Sequence, residues 1–155
     1  MMMPARHPLP HLMDEVLRTH GRLLAATAGF GAEDGLTGAQ MLVLTAVVNA
    51  QRAPTVPQIG RSLGHTRQSV QRIADALLAR GFVATKDNPD HKRAPLLMPT
   101  EAGRAAHRRA DDRSQSWIAR VTEGIDPDEL AHAAETLRLL RTRLEADAAE
   151  QRRSS

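Results

Sequence analysis

One polar stretch of this sequence has residue types and spacing suited to reading a nucleic acid. Gln68 and Arg72 are four positions apart, so on a helix they project from the same face. In the major groove of DNA, glutamine can pair in a bidentate way with adenine, and arginine can do so with guanine. The residues of this helix that we assign to DNA contacts are Thr66, Arg67, Gln68, Ser69, Gln71 and Arg72.

An apolar stripe positions this polar face by anchoring the opposite side of the same helix in a core. The stripe consists of Val70, Ile73, Ala74, Leu77 and Leu78, which follow the i, i+3, i+4, i+7, i+8 pattern. Thr66 can cap the start of the helix, and Gly81 ends it. The sequence therefore predicts an amphipathic helix over residues 67–80, with Gln68 and Arg72 pointing away from the core.

A shorter helix and a tight turn precede this helix. Thr55 and Gln58 have the spacing of a capping box, which predicts a helix over residues 55–63. Gly64 suits the turn, because glycine adopts a positive φ without a steric cost. Two helices joined in this way are typical of a helix-turn-helix, whose second helix enters the major groove of DNA.

A charged hairpin follows the second helix. Two short strand-like runs, residues 82–86 and 94–98, flank a charged tip. At this tip we assign Lys92 and Arg93 to DNA contacts, with a minor groove or a phosphate as the reachable target. An isolated polar helix face is most often solvated surface, but the ordered helix, turn, helix and wing favour DNA recognition.

The chain resembles the MarR family of winged-helix transcription regulators over most of its length. The matching segments are Leu36-Thr37 with Gln40, residues 67–70, residues 78–83, the wing at residues 88–94, and residues 100–103. The resemblance implies a mainly α fold with a small β-hairpin wing (α+β). It implies a winged helix-turn-helix domain and a dimerisation region built from the N- and C-terminal helices. The family often has an acidic residue two positions before the wing arginine, where this chain has His91.

Helices on both sides of the DNA-binding lobe are predicted to form the dimerisation region. Apolar spacing predicts helices over residues 11–28, 36–50 and 100–122, and another that begins at Asp126-Pro127. We assign residues 36–99 to the DNA-binding lobe, residues 9–30 and 100–150 to dimerisation, and residues 1–155 to one MarR-like chain. The tail at residues 150–155 is expected to fray.

The last helix carries an apolar stripe that needs a partner. Leu130, Leu137 and Leu144 recur at strict seven-residue spacing. The stripe can pack on the chain's own first helix or on a second chain. We favour a homodimer, because both flanking helices lie outside the compact motif and because a two-fold dimer places two recognition helices one DNA turn apart.

Composition supports a polyanion-binding module. Residues 51–113 hold 12 Lys and Arg against 6 Asp and Glu, whereas the rest of the chain holds 9 against 12. The chain has no cysteine, which excludes disulfides, thiolate metal sites and cysteine redox sensing. No apolar run is long enough to span a membrane, and residues 1–10 lack the apolar stretch of a signal peptide, so a cytoplasmic protein is expected.

Catalytic and metal-binding functions find no support in the motifs. The seven histidines form no H-E-x-x-H pattern, and the chain has no P-loop, no nucleophile elbow and no dinucleotide fingerprint. Asp111 and Asp112 are adjacent on a predicted helix, so their side chains point to different faces. We therefore expect no enzyme activity, no catalytic residue, no metal site and no cofactor.

Two classes of function besides DNA binding are considered. A winged helix that binds protein partners would expose apolar residues on its second helix, and we find none there. A small-molecule-binding protein without a DNA role is the other class. The resemblance implies that an unidentified effector can bind between the dimer helices and the DNA-binding lobe of a repressor. Trp117 is the one large apolar contact for it, although dimer packing is its simpler role.

Overall fold

The computed structural model describes residues 7–154, and the expected mainly α fold with a β-hairpin wing is confirmed. The elements in chain order are α1 (Leu9–Thr27), α2 (Gly38–Val48), α3 (Val56–Leu63), α4 (Arg67–Ala79), β1 (Val83–Lys86), β2 (Leu96–Pro99), α5 (Glu101–Val121) and α6 (Pro127–Ser154). The first six residues and the last one of the proposed 1–155 unit lie outside the described residues.

Threonine caps start four of these helices where the sequence predicts them. Thr37 and Thr55 each form a complete capping box, because the side chain of the third helical residue, Gln40 or Gln58, accepts from the backbone N–H of the cap. Thr66 Oγ1 accepts from the Ser69 N–H, and Thr100 Oγ1 accepts from the Gly103 N–H. Helices α2, α3, α4 and α5 therefore begin at positions set by local sequence.

The core of the winged lobe joins helices α2, α3, α4 and α5 to the hairpin. The stripe predicted on α4 is confirmed, with Val70, Ala74 and Leu77 fully buried and Ile73 and Leu78 packed against them. The other large, fully buried side chains are Val43 and Leu44 of α2. This packing fixes the rotation of α4 about its axis, and so determines which of its side chains face outward.

The wing hairpin is slightly shorter than predicted. Strands β1 and β2 are antiparallel, with Val83 opposite Pro99 and Lys86 opposite Leu96. The second strand begins at Leu96 instead of residue 94, because the Ala94 carbonyl accepts from the Asn88 side chain and Pro95 has no N–H to donate. The Leu97 N–H donates to the Pro54 carbonyl over 2.8 Å, which ties the wing to the start of α3.

The prediction that the tail frays at residues 150–155 is wrong for the described part of the chain. Helix α6 continues to Ser154, and side chains support its last turns. Gln151 Nε2 donates to Asp147 Oδ2 over 2.8 Å, and Ser154 Oγ donates to the Glu150 carbonyl. The first of these, a side-chain pair four positions apart, stabilises the helix end. Ser155 lies outside the described residues.

Three arginines from two distant helices hold the connection between α1 and α2, residues 30–35, which we call the clamp loop. Arg113 donates to the Phe30 carbonyl over 2.8 Å, and Arg109 donates to the Asp34 carboxylate over 2.5 Å. Arg80, the C-cap of α4, donates to the Gly35 carbonyl over 2.7 Å. The hydrogen bond from Arg109 is the main reason that the pKa of Asp34 lies below its ordinary value.

The close contact between α5 and the residue before β1 leads to a prediction about stability. A Cβ at Gly103 would be 2.0 Å from the Phe82 carbonyl oxygen. Gly103→Ala should therefore destabilise the fold by at least about 3 kcal/mol, since the backbone must shift to make room. Gly29→Ala is the matched control, because a Cβ there meets no atom within 4 Å. Urea titrations of both variants measure the effect, and equal midpoints for the two would contradict the close packing.

Candidate nucleic-acid interface

The predicted recognition face is exposed on α4. Arg67, Gln68, Gln71 and Arg72 are all exposed and together line one shallow surface of the helix. Gln68 and Arg72 lie opposite the buried Val70 side of the helix, as the periodicity predicts. The arrangement offers two guanidinium and two carboxamide groups to a partner that approaches along the helix, and these are the side chains that pair with guanine and adenine.

Three of the six residues assigned on this helix have local bonds. The Thr66 side chain caps α4, and Ser69, which is half-buried, uses its backbone N–H in that cap. The assignment of all six residues to DNA remains a prediction. Gln71 Nε2 donates to Asp75 Oδ1 over 2.8 Å, a pairing that sequence reasoning missed although the spacing of four residues indicates it. The bond orients the Gln71 amide before a partner arrives.

The turn at the wing tip is organised by Asn88 instead of an acid beside the arginine. Asn88 Nδ2 donates to the Ala94 carbonyl over 2.9 Å, and Asn88 Oδ1 accepts from the Asp90 N–H over 3.1 Å. A further backbone bond joins Ala94 N–H to the His91 carbonyl. Within the described residues Arg93 makes no ion pair. The backbone of the tip is therefore fixed while the Arg93 side chain is exposed.

A basic groove separates the wing from helices α3 and α4. It has a volume of about 770 Å³, and its arginines are Arg52, Arg61, Arg67 and Arg93. Within the described residues none of the four pairs with a carboxylate. The structure thus brings Arg93 of the wing and Arg67 of α4 to one groove, whereas Lys92 is exposed at the tip outside its lining. The four arginines outnumber the one acidic residue of the lining, Asp90, and excess positive charge in a groove attracts a polyanion.

Sequence reasoning missed Arg52 and Arg61. Arg52 stands in the Pro-containing break before α3, where no periodicity gives it a direction. Arg61 belongs to the exposed side of α3 and is three residues after Gln58, which also lines the groove. The excess of basic residues over residues 51–113 was the only signal that could have found them.

A second, more apolar cavity lies between α1, α2 and α5. Its volume is about 370 Å³, and the Phe30 and Trp117 rings, 5.7 Å apart and close to perpendicular, form part of its wall. Trp117, for which dimer packing was the simpler expectation, therefore lines a cavity in the single chain. The cavity lies next to the clamp loop, because Phe30 belongs to both.

Residues 7–154 contain neither a metal-binding cluster nor a membrane-spanning helix. No three His, Asp or Glu side chains in that range come together as a metal-binding group. Across the same residues, no helix combines the length and the apolar character that crossing a membrane requires.

Comparison with known proteins identifies the family. A model of the MarR family matches residues 34–94, which include the helix-turn-helix and most of the wing. The uncharacterized protein Rv2011c of Mycobacterium tuberculosis (strain ATCC 25618 / H37Rv) is 34% identical over 139 residues, covering 90% of this chain and 96% of that protein. The chain belongs to the MarR family. Its winged helix is therefore that of a transcription regulator.

Solved structures of MarR-family regulators share the fold. A MarR-family transcriptional regulator from Rhodococcus sp. RHA1 superposes with a TM-score of 0.73 at 21% identity, covering 88% of this chain and 96% of that one. CouR from Rhodococcus jostii RHA1, solved with p-coumaroyl-CoA, gives 0.72 at 21% with the same coverage. A mutant MarR from E. coli, solved with operator DNA, gives 0.62 at 25%, covering 86% and 93%.

The basic groove leads to a prediction about DNA affinity. Arg93→Ala and Arg61→Ala should each weaken binding to most duplexes alike, because each removes one phosphate contact. Each should also lower the slope of log affinity against log salt by about one. Arg120→Ala, at the far end of α5 and outside the groove lining, is the control and should keep the parent slope. Fluorescence anisotropy over a salt series measures the slopes. Unchanged affinity at every salt for Arg93→Ala would show that the wing does not touch DNA.

Proposed function

We propose that this MarR-family chain binds double-stranded DNA as a sequence-specific homodimeric repressor and that a small-molecule effector releases it. The observation that carries the proposal is the exposed α4 face with Gln68 and Arg72, directed away from a fully buried stripe beside a groove of unpaired arginines. Phosphate contacts in the groove would set register and affinity, and the α4 side chains would choose the bases.

The homodimer is supported by two helices that bury almost nothing within one chain. Neither α1, with 19 residues, nor α6, with 28 residues, contains a buried residue. Their apolar side chains face outward, with Leu17 71% exposed and Leu144 61% exposed. Helices gain most of their stability from packing an apolar face, so these two need a partner surface. A second copy of the chain supplies this partner surface, because in a two-fold dimer the same exposed apolar residues of both copies face each other.

The effector is supported by the cavity and by its connection to the recognition helix. Phe30 forms part of the cavity wall, and its carbonyl accepts from Arg113. The other end of the same loop holds Arg80, the C-cap of α4, through the Gly35 carbonyl. An occupant that displaces the clamp loop would therefore move α4 and alter the spacing of the two recognition helices, so that DNA is bound less tightly.

The proposed role of α4 leads to a prediction about sequence discrimination. Gln68→Ala and Arg72→Ala should each lower the ratio of specific to nonspecific affinity, because a bidentate base contact is worth about 1–3 kcal/mol of discrimination. Arg93→Ala is the contrasting variant, since it should lower affinity while keeping the ratio. Competition titrations with an operator selected from random duplexes and with its scrambled form provide the measurement. If both α4 variants keep the parent ratio, α4 is not the reading helix.

The proposed dimer leads to a prediction about its dissociation constant. Leu137→Arg combined with Leu144→Arg should raise that constant at least about 30-fold, because charged side chains at a buried interface cost ~2 kcal/mol or more. Thr142→Arg lies on the other side of α6 and should leave the dimer intact. Sedimentation velocity over a concentration series gives the constants, and circular dichroism checks folding. A parent chain that remains a monomer at micromolar concentration would refute the dimer.

A further inference from the structure

The cavity between α1, α2 and α5 has an unusual balance of charge among its lining residues. Its size, about 370 Å³, falls in the range of small-molecule sites, and most of its wall is apolar. The 14 lining residues include no lysine and no arginine. Asp111 is the acidic residue among them, and it is exposed at the edge of the cavity. The cavity therefore offers a carboxylate to a ligand and no fixed cation.

The arginines of α5 within three residues of Asp111 do not correct this balance, because Arg108 pairs with Glu101 and the clamp loop holds Arg109 and Arg113. Arg109 pairs with Asp34, and Arg113 pairs with Glu33 and donates to the Phe30 carbonyl. These contacts direct both guanidinium groups to the clamp loop, and neither residue is among those that line the cavity. An anionic ligand would lie beside the Asp111 carboxylate with no group to neutralise it.

The unused polar groups of the cavity suit a positively charged or hydrogen-bonding end of a ligand. Two hydroxyls are already committed as donors, Thr27 to the Leu23 carbonyl and Ser114 to the Asp111 carbonyl. Among the described residues, the side chains of Thr45, Asn49, His107 and Asp111 line the cavity without a hydrogen-bond partner. The Asp111 carboxylate is thus free to accept from a ligand, while the aromatic pair provides surface for an apolar body.

We infer that this cavity binds a hydrophobic aromatic cation, with an ammonium or amidinium group at Asp111 and the apolar body against Phe30 and Trp117. The inference rests on the proposed function only in taking the cavity as the effector site. Selectivity follows from charge: a cation gains from the free carboxylate and from the aromatic rings, whereas a carboxylate of the same shape is repelled. An uncharged alcohol of that shape should lie between the two.

The test compares three probes of one shape: 4-tert-butylbenzylamine, 4-tert-butylbenzyl alcohol and 4-tert-butylbenzoate. Trp117 is the only tryptophan of the chain, so its fluorescence reports occupation of the cavity directly in the absence of DNA. We expect the amine to bind about tenfold more tightly than the benzoate, which is the size of one ion pair and one cation–π contact at a partly solvated site. Titration calorimetry on the same samples should give the same order of affinities for the three probes.

Matched variants assign the selectivity to one carboxylate. Asp111→Asn should lower the affinity for the amine and bring it closer to that for the alcohol, because the ion pair is lost while the aromatic pair remains. Asp112→Asn removes the same charge one position along α5 from a residue outside the cavity lining, and should leave the order of the probes unchanged. Equal losses in both variants, benzoate binding as tight as amine binding, or no response to any probe would each overturn the inference. Operator binding by the same preparations, measured separately, shows whether the DNA-binding function stands when the inference fails.

Discussion

The clamp loop constrains the placement of α4 and α5 relative to α2, because arginine side chains from both helices bind the short connection that leads into α2. Arg80 reaches it from the end of α4, and Arg109 and Arg113 reach it from the middle of α5. Asp34 is only 12% exposed on its side chain, so its bond from Arg109 is partly shielded from water. Since the folded pKa of Asp34 is lowered, the contact contributes its full stability above the ordinary carboxyl pKa and loses it as the pH falls through the folded value.

The clamp loop also explains why one chain can combine a rigid reading surface with a cavity. Arg113 holds the Phe30 carbonyl of the loop and Arg109 holds its Asp34 carboxylate, and neither arginine lines the cavity. The same use of charge leaves α4 anchored at its C-terminal end by Arg80, which also lies 5.0 Å over the Phe82 ring. The N-terminal part of α4, which carries Gln68 and Arg72, therefore projects from a helix that is fixed at its far end.

Features set by neighbouring residues could be predicted from the sequence, and those set by distant ones could not. The caps at Thr55 and Thr66 and the left-handed turn at Gly64, with φ of 68°, depend on groups within four residues, and each is confirmed. The bond between Asp34 and Arg109 joins residues 75 positions apart, and no periodic pattern indicates it. The cavity and the groove arginines Arg52 and Arg61 were missed for the same reason, since they exist only where separate elements meet.

The candidate interface has two parts, the α4 face and the groove arginines, and they differ in how firmly the fold holds their side chains. This difference explains why we assign specificity to α4 and affinity to the groove. Base-reading side chains must be held to within a fraction of an ångström, and α4 meets this need because its stripe at Val70, Ala74 and Leu77 is completely buried. Phosphate contacts tolerate more freedom, since charge acts over several ångströms. Three of the four groove arginines come from a loop, a short helix and a hairpin tip, and the fourth, Arg67, lies in the first turn of α4. The exposed Arg93, on a turn held by Asn88, therefore suits attraction of the DNA backbone better than recognition of a base.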